Sequence, residues 1–228
     1  TLATEGGAHQ SISTPLIGMS QDGLASFEPA FADELAIILE WSFDYLQRSE
    51  KNKIDKTTWL RDKTGGSVYL RLSTNPIEQP GMRSCNIFKE DVIKGAYWMK
   101  KPGPNCELVL AYQGVIAPEV LSAAGKIGEY RKDIGVLSVT SADRLNAGWT
   151  SAQKARTLGV KSAKSHIETL MEDLPRHCVI ITVIDGHPAT LGWLGSVYGH
   201  STIALGVEHF GQTGSIKDLY KHFGISES

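Results

Sequence analysis

The spacing of apolar residues along the chain changes character near residue 27. Residues 27–47 show the 3.6-residue period of a helix. One face is predicted to carry Phe31, Leu35, Ile38, Ser42 and either Tyr45 or Leu46, and because Ile37 and Trp41 lie on another face, both sides are expected to be covered. The preceding segment, 1–26, is rich in small residues without a period and is predicted to be an ordered loop. Residues 67–73 alternate between apolar and polar positions, which is typical of a strand.

From residue 107 onward, strand patterns and helix patterns take turns. Strands are predicted at 107–113, 135–141, 178–184 and 201–207. Helices are predicted at 118–132, 165–174, 187–199 and 215–223. Such alternation requires crossover connections and therefore indicates an α/β fold with a mainly parallel sheet.

Two proline-bearing stretches without a period divide the chain. They lie at 74–84 and 100–105, and segments of this kind commonly connect domains. We therefore predict a first unit at 1–75, a linker at 76–103 and a second unit at 104–228.

Composition excludes several classes of partner. The chain of 228 residues is 41% hydrophobic and carries a net charge of −2, so a strongly basic nucleic-acid binder is excluded. No apolar run reaches the roughly 18 residues that a membrane span needs. Cys85, Cys106 and Cys178 form no CxxC pair. We expect them to be buried or idle thiols in a reducing compartment rather than a disulfide framework or a zinc site.

The chemistry-bearing residues form no metal-binding motif, so no metal ligand is predicted. Of the seven histidines, His187 is predicted to cap a turn, and His200 and His209 are predicted to be structural. The GQTG stretch at 211–214 is predicted to be a tight turn before a helix. His9 differs because it lies in a glycine-rich loop, EGGAHQS, where a side chain can be presented to a ligand and can move a proton near neutral pH.

Three segments in this order resemble the thiamine-diphosphate enzymes of the transketolase superfamily. They are EGGAHQS at 5–11, SVYLRLSTN at 67–75 and LGVEHFGQTGSIKDLYKHFGI at 205–225. Two further segments, SFEPAFADELAII at 26–38 and DVIKGAYWM at 91–99, are similar to the homodimeric, transketolase-like pyruvate dehydrogenase decarboxylating component.

The resemblance implies two three-layer α/β/α units: the C-terminal half of a pyrimidine-binding domain at 1–75 and a transketolase C-terminal domain at 104–228. It implies that His9 is catalytic and contacts the substrate-derived oxygen of the thiamine adduct. It also implies thiamine diphosphate and Mg²⁺ as cofactors of the full-length parent. The implied partners are a second copy of the chain and a lipoyl-bearing acyltransferase component, in the cytoplasm.

Two departures from the family pattern bear on which substrate class is expected. Thr74 and Gly6 stand where sugar-phosphate transketolases carry an arginine and an aspartate, and a phosphate clamp needs the cation. This favours a small 2-oxo acid, pyruvate, as the substrate. Arg71 is expected to be a poor substitute, because alternation would direct it away from the face of Leu70 and Leu72.

No GDG metal motif is present, and the family's activating glutamate would lie upstream of Thr1. The chain is therefore expected to be an inactive C-terminal fragment that binds no cofactor alone and self-associates through Trp41, Phe43 and Tyr45. Two alternatives stay open: ketol transfer between sugar phosphates, and a non-catalytic dimerisation module.

Overall fold

The computed structural model describes residues 11–48, 58, 60–81, 83, 85–209 and 211–227. The α-helices in these residues are α1 (Thr14–Gly18), α2 (Ala32–Gln47), α3 (Asn86–Lys94), α4 (Ala117–Gly128), α5 (Ala142–Thr157), α6 (His166–Met171) and α7 (Ile216–His222). The strands are β1 (Leu24–Phe27), β2 (Ser67–Leu70), β3 (Ala96–Lys100), β4 (Leu108–Gln113), β5 (Gly135–Val139), β6 (Val179–Ile184) and β7 (Thr202–Leu205). Short 3₁₀-helices lie at Gly114–Ile116, Pro188–Thr190 and Gly192–Val197.

The strands form two sheets. The smaller sheet pairs β1 with β2 in parallel, with Leu24 opposite Ser67 and Phe27 opposite Leu70. The larger sheet has the order β3-β5-β4-β6-β7, and every pair in it is parallel except β3 with β5. The α/β class with a mainly parallel sheet, predicted from the sequence, is confirmed.

The central strands of the larger sheet carry apolar side chains on both faces, and helices pack on both of these faces. One apolar cluster joins the sheet to α5 and α6 through residues such as Leu145 and Met171. The other cluster joins the opposite face to α4 and α7 through Val120 and Tyr220. The result is a three-layer α/β/α unit.

The smaller unit is built on α2, and most of its predicted inner face is correct. Ile38, Ser42 and Tyr45 are buried there and Leu35 is half-buried, whereas Leu46, the predicted alternative to Tyr45, is 53% exposed. The helix begins where the Glu34 carboxylate accepts the backbone N–H groups of Ala30 and Phe31 at 2.6 and 2.9 Å, which satisfies two donors at the helix start.

The predicted linker at 76–103 contains regular structure, so in the structure the larger sheet starts before residue 104. Helix α3 ends at Gly95, whose φ of 110° turns the chain at once into β3. Strand β3 then pairs with β5 at the edge of the larger sheet. The periodicity missed this stretch because α3 is short and its apolar residues are interrupted by charges.

Other elements were also missed by the sequence patterns. Strand β1 and helix α1 lie in the predicted loop 1–26, and α5 fills the gap between two predicted elements. The helix predicted at 187–199 is a pair of 3₁₀ segments. None of the helices described here combines the length and apolar character that crossing a membrane demands.

Candidate functional site

A cleft lies where the two sheets meet at the carboxyl ends of their parallel strands. Strands β1 and β2 end at Phe27 and Leu70, and β4 and β6 end at Gln113 and Ile184. Open α/β sheets commonly bind ligands in this position. The cleft has a volume of about 230 Å³. It is lined by Ser11, Glu28, Pro29, Tyr69, Leu70, Arg71, Leu72, Ser73, Val115 and Asp185.

Arg71 holds the cleft together. Its backbone N–H donates to the Phe27 carbonyl at 2.9 Å, which extends the smaller sheet by one bond. Its guanidinium forms an ion pair with Glu28 and donates to the carbonyl oxygens of Ser11 at 3.1 Å and Asp185 at 2.7 Å. The guanidinium therefore joins both sheets and the N-terminal segment. Leu70 packs against the apolar cluster that includes Ile38 and Tyr45, whereas the Arg71 guanidinium contacts oxygens of the cleft, so the two neighbouring side chains lie in different surroundings.

Glu28 is the buried carboxyl of the cleft, and it is only 4% exposed. Its second oxygen accepts the Gln113 side-chain amide at 3.0 Å. Burial raises the pKa of Glu28, although the Arg71 charge and the Gln113 hydrogen bond act against this rise. A carboxyl of this kind can hold or release a proton closer to neutral pH than an exposed one.

Gly114 allows Glu28 to take this position. Its φ is 71°, and a Cβ atom there would lie 2.4 Å from Glu28 Oε1. Glycine adopts this conformation at no steric cost. The backbone after β4 can therefore approach the carboxylate closely.

Asp185 brings a second carboxylate to the cleft. It lies directly after β6. The negative charge of Asp185 acts to raise the pKa of Glu28, whereas the positive charge of Arg71 acts to lower the pKa of Glu28. Burial acts to lower the pKa of Arg71, but the charges of Glu28 and Asp185 outweigh it and raise the value. The described cleft residues therefore carry two carboxylates and three hydroxyls, but the Glu28 carboxylate and the single guanidinium are already engaged with each other and with protein groups.

The structure tests part of the sequence-predicted site. His9, the predicted catalytic residue, lies outside the described residues. His187 caps a 3₁₀-helix as predicted, since its Nδ1 accepts the Ala189 N–H at 3.2 Å. His200 is buried, and its Nδ1 lies 3.2 Å from the Cys178 carbonyl oxygen. His209 is exposed.

Glu28 was missed as a site residue by the sequence reasoning. Its signal is a carboxylate directly after a strand and directly before a proline, at the carboxyl end of a parallel pair. Because β1 is not predicted as a strand, Glu28 is instead interpreted as part of the acidic start of α2. Strand alternation alone does not predict the ion pair that Arg71 forms with Glu28.

The described residues do not fit a complete thiamine diphosphate site. No group of three or more His, Cys, Asp or Glu side chains there is placed to hold a metal ion. The cleft's one described guanidinium is bound by protein oxygens, so it is not free to hold a diphosphate.

Comparison with known proteins gives a consistent assignment. Residues 95–226 match the family described as the transketolase-like TK C-terminal domain. The pyruvate dehydrogenase E1 component of Mycolicibacterium smegmatis is 29% identical over 160 residues, which are 68% of this chain and 16% of that protein.

Solved structures of similar fold include transketolases. A transketolase variant from Pichia stipitis has a TM-score of 0.66 at 18% identity, with 99% of this chain and 27% of that chain covered. Transketolase from Leishmania mexicana has a TM-score of 0.64 at 19% identity, with 97% and 26% covered. A split-gene transketolase described as an inactive beta4 tetramer has a TM-score of 0.59 at 15% identity, with 96% and 58% covered. At these identities the likeness shows the fold alone.

Proposed function

Because the chain belongs to the family of transketolase-like C-terminal domains, we propose that it is the carboxyl-terminal part of a thiamine-diphosphate-dependent decarboxylating component that acts on pyruvate. The chain spans 16% of the length of the pyruvate dehydrogenase relative. The activity therefore belongs to a longer parent, in which this chain completes the active site and supports dimer formation.

The observation that carries this proposal is that Arg71, the one cationic side chain among the described cleft residues, is already bound by protein oxygens. Arg71 is engaged by Glu28, Ser11 and Asp185, and Thr74 stands where a phosphate-binding arginine is expected. A sugar phosphate needs a free guanidinium or ammonium for its phosphate group. A small 2-oxo acid carries no phosphate and makes no such demand.

In this proposal His9 moves a proton to or from the substrate-derived oxygen. His9 precedes Ser11 by two residues, and two residues of chain reach at most about 7 Å. Ser11 lines the cleft and is bonded to Arg71. The hydrogen bond from Arg71 to the Ser11 carbonyl oxygen would hold the chain in place two residues after His9. The ion pair with buried Glu28 would in turn hold Arg71.

The cofactor contacts are proposed to come mainly from the rest of the parent. Thiamine diphosphate and Mg²⁺ would be held there, and this chain alone is expected to bind neither. A second copy of the chain and a lipoyl-bearing acyltransferase component are the proposed partners, in the cytoplasm. Of the proposed self-association residues, Phe43 is 64% exposed, whereas Tyr45 is buried, so Tyr45 is not available for such a contact.

Ketol transfer between sugar phosphates remains the alternative, because membership in the family of transketolase-like C-terminal domains does not distinguish the two reactions. A non-catalytic assembly module is the other alternative.

The deciding experiment uses the longer parent protein. Turnover is measured with pyruvate and with xylulose phosphate, at saturating cofactor, for the parent and for His9→Ala. We expect activity with pyruvate and a loss of about 10²–10⁴-fold in His9→Ala. His209→Ala is the matched control, because His209 is exposed outside the cleft, and it should keep full activity. Turnover with xylulose phosphate alone, or a normal rate in His9→Ala, would refute the respective part of the proposal.

A separate titration addresses the chain alone. Calorimetry with thiamine diphosphate and Mg²⁺ should give no saturable heat at micromolar concentration. A saturable, Mg²⁺-dependent heat would show that this chain carries a cofactor site of its own.

A further inference from the structure

Two of the three cysteines meet at the end of the larger sheet opposite to the cleft. The Sγ atoms of Cys106 and Cys178 lie 3.7 Å apart, although the residues are 72 positions apart in sequence. Both side chains are fully buried, and both are free thiols. A disulfide requires an S–S distance of about 2.0 Å, so the sulfurs need to approach by less than 2 Å.

The surrounding backbone can accommodate that approach. Each cysteine lies in the turn just before its strand, with Cys106 N–H bonded to Gly103 O and Cys178 N–H bonded to Pro175 O. Neither cysteine is part of the strand ladder, which begins with Leu108 opposite Val179. Turn residues can move by an ångström with less loss of hydrogen bonding than ladder residues.

The two thiols are buried, but the residues next to them in the sequence are exposed. Asn105 and Glu107, on either side of Cys106, are exposed, and so are Arg176 and His177 before Cys178. Opening of either turn therefore uncovers a thiol without unfolding the sheet. Local openings of this kind cost less free energy than global unfolding.

We propose that Cys106 and Cys178 form an oxidation site at which a small two-electron oxidant of the peroxide class converts the two thiols into an intramolecular disulfide. One thiolate attacks a peroxide oxygen, the O–O bond breaks, and a sulfenic acid and hydroxide form. The hydroxide takes up the proton released by the thiol and becomes water. The second thiol attacks the sulfenic sulfur, the S–O bond breaks, and a second water leaves. One hydrogen peroxide and two thiols thus give one disulfide and two waters.

Cys106 is suited to be the attacking thiolate. The hydrogen bond with Cys178 lowers its pKa, although burial acts in the opposite direction. Lower thiol pKa values increase the thiolate fraction, which is the reactive species.

The disulfide would bridge the amino ends of β4 and β6, whereas Gln113 and Asp185 lie at their carboxyl ends. The cross-link would therefore restrain two neighbouring strands without touching a cleft residue. Closing so long a loop in the unfolded chain is expected to raise the melting temperature.

The experiment uses the full chain with Cys85→Ser, which removes the exposed thiol and prevents intermolecular cross-links. After treatment with hydrogen peroxide, the protein is unfolded, alkylated and mapped by mass spectrometry without reduction. We expect both remaining thiols to be lost together, a cross-linked peptide pair containing positions 106 and 178, and a higher melting temperature that dithiothreitol reverses.

Cys106→Ala and Cys178→Ala in the same background are the controls, and peroxide should leave their melting temperatures unchanged. The peptide map of the Cys85→Ser protein decides the question even if either control fails to fold. Two thiols that remain open to alkylation after unfolding, or oxidation to sulfinic acid without a cross-link, would overturn the proposal.

Discussion

Glu28 and Gln113 connect the two sheets directly: the Gln113 side-chain amide donates to the Glu28 carboxylate at 3.0 Å. The side-chain oxygen of Gln113, Oε1, in turn accepts the backbone N–H of Ala142 at 3.2 Å. One glutamine at the end of β4 thereby links the ion pair of the cleft to the start of α5. Polar networks buried in this way are costly to break in part.

Replacing either partner of the Glu28–Arg71 ion pair should destabilise the protein at pH 7. Glu28→Gln leaves a guanidinium that cannot lose its proton, and Arg71→Met leaves a buried carboxylate. Each should lower the free energy of unfolding by about 3 kcal/mol. On acidification, Arg71→Met should regain part of this loss relative to wild type, because the unpaired Glu28 can take up a proton. Glu28→Gln has no carboxyl at this position and cannot recover in that way.

Urea unfolding of both variants at about pH 5 and about pH 7 measures this difference. Arg131→Met is the control, since its ion pair with Glu107 is exposed and should matter by less than about 1 kcal/mol. A loss of similar size in the control would mean that the effect does not depend on burial.

Gly114→Ala should destabilise the protein by about 1–3 kcal/mol. The new methyl group would meet Glu28 Oε1 at 2.4 Å, in a backbone conformation with a φ of 71°. Gly125→Ala is the matched control, because Gly125 lies inside α4 with open space around it. That substitution should stabilise the protein by about 0.5–1 kcal/mol. Thermal unfolding of the two variants should therefore shift in opposite directions.

Two buried glutamates should give opposite dependences on pH. Burial raises the pKa of Glu34 above its ordinary 4.5, although the Tyr97 hydroxyl and the N–H groups of Phe31 and Ala30 act against it. Burial also acts to raise the pKa of Glu168, but hydrogen bonds from Arg156 and Ser165 outweigh it, and the value is lowered.

The contribution of Glu34 is therefore complete below pH 4.5 and lost as the pH rises through its folded pKa. The contribution of Glu168 is present above pH 4.5 and lost as the pH falls through its folded pKa. The stability difference between wild type and Glu34→Gln should shrink as the pH rises, and that for Glu168→Gln should grow. Urea titrations from about pH 4 to about pH 8 test both signs. Parallel slopes for the two variants would contradict this assignment.

The start of the carboxyl-terminal unit can be tested with two fragments. Residues 95–228 include β3, whereas residues 104–228 leave one edge of β5 uncovered. Unpaired edges favour aggregation, and a loss of a few kcal/mol lowers the melting temperature of such a domain by about 10 °C. We expect a cooperative transition for 95–228 and a lower or absent one for 104–228. Equal melting temperatures would support the boundary at 104 inferred from the sequence.

The sequence predicts the strands that are buried on both faces, because their apolar runs are continuous and bounded by turns. It does not predict α5, whose apolar residues form no clear stripe. The signals for α5 are its ends: Ser141 accepts the Arg144 N–H at 3.1 Å as a cap, and Lys154 and Arg156 lie in the last turn.

The cleft could be predicted only in part. The resemblance selected the loop that contains His9 and the strand that leads to Arg71. The ion pair of Arg71 with Glu28 depends on where two strands end and on how the two sheets approach each other. These are tertiary relationships, and no spacing along the chain contains them.

The three oxygen partners of Arg71 also bear on the order of folding. They lie 43, 60 and 114 positions away in sequence, and contacts across such long loops carry a large closure entropy. All three contacts join segments that only the finished tertiary structure brings together. The cleft therefore exists only when both sheets have met, and any motion that separates the two sheets breaks the contacts of Arg71.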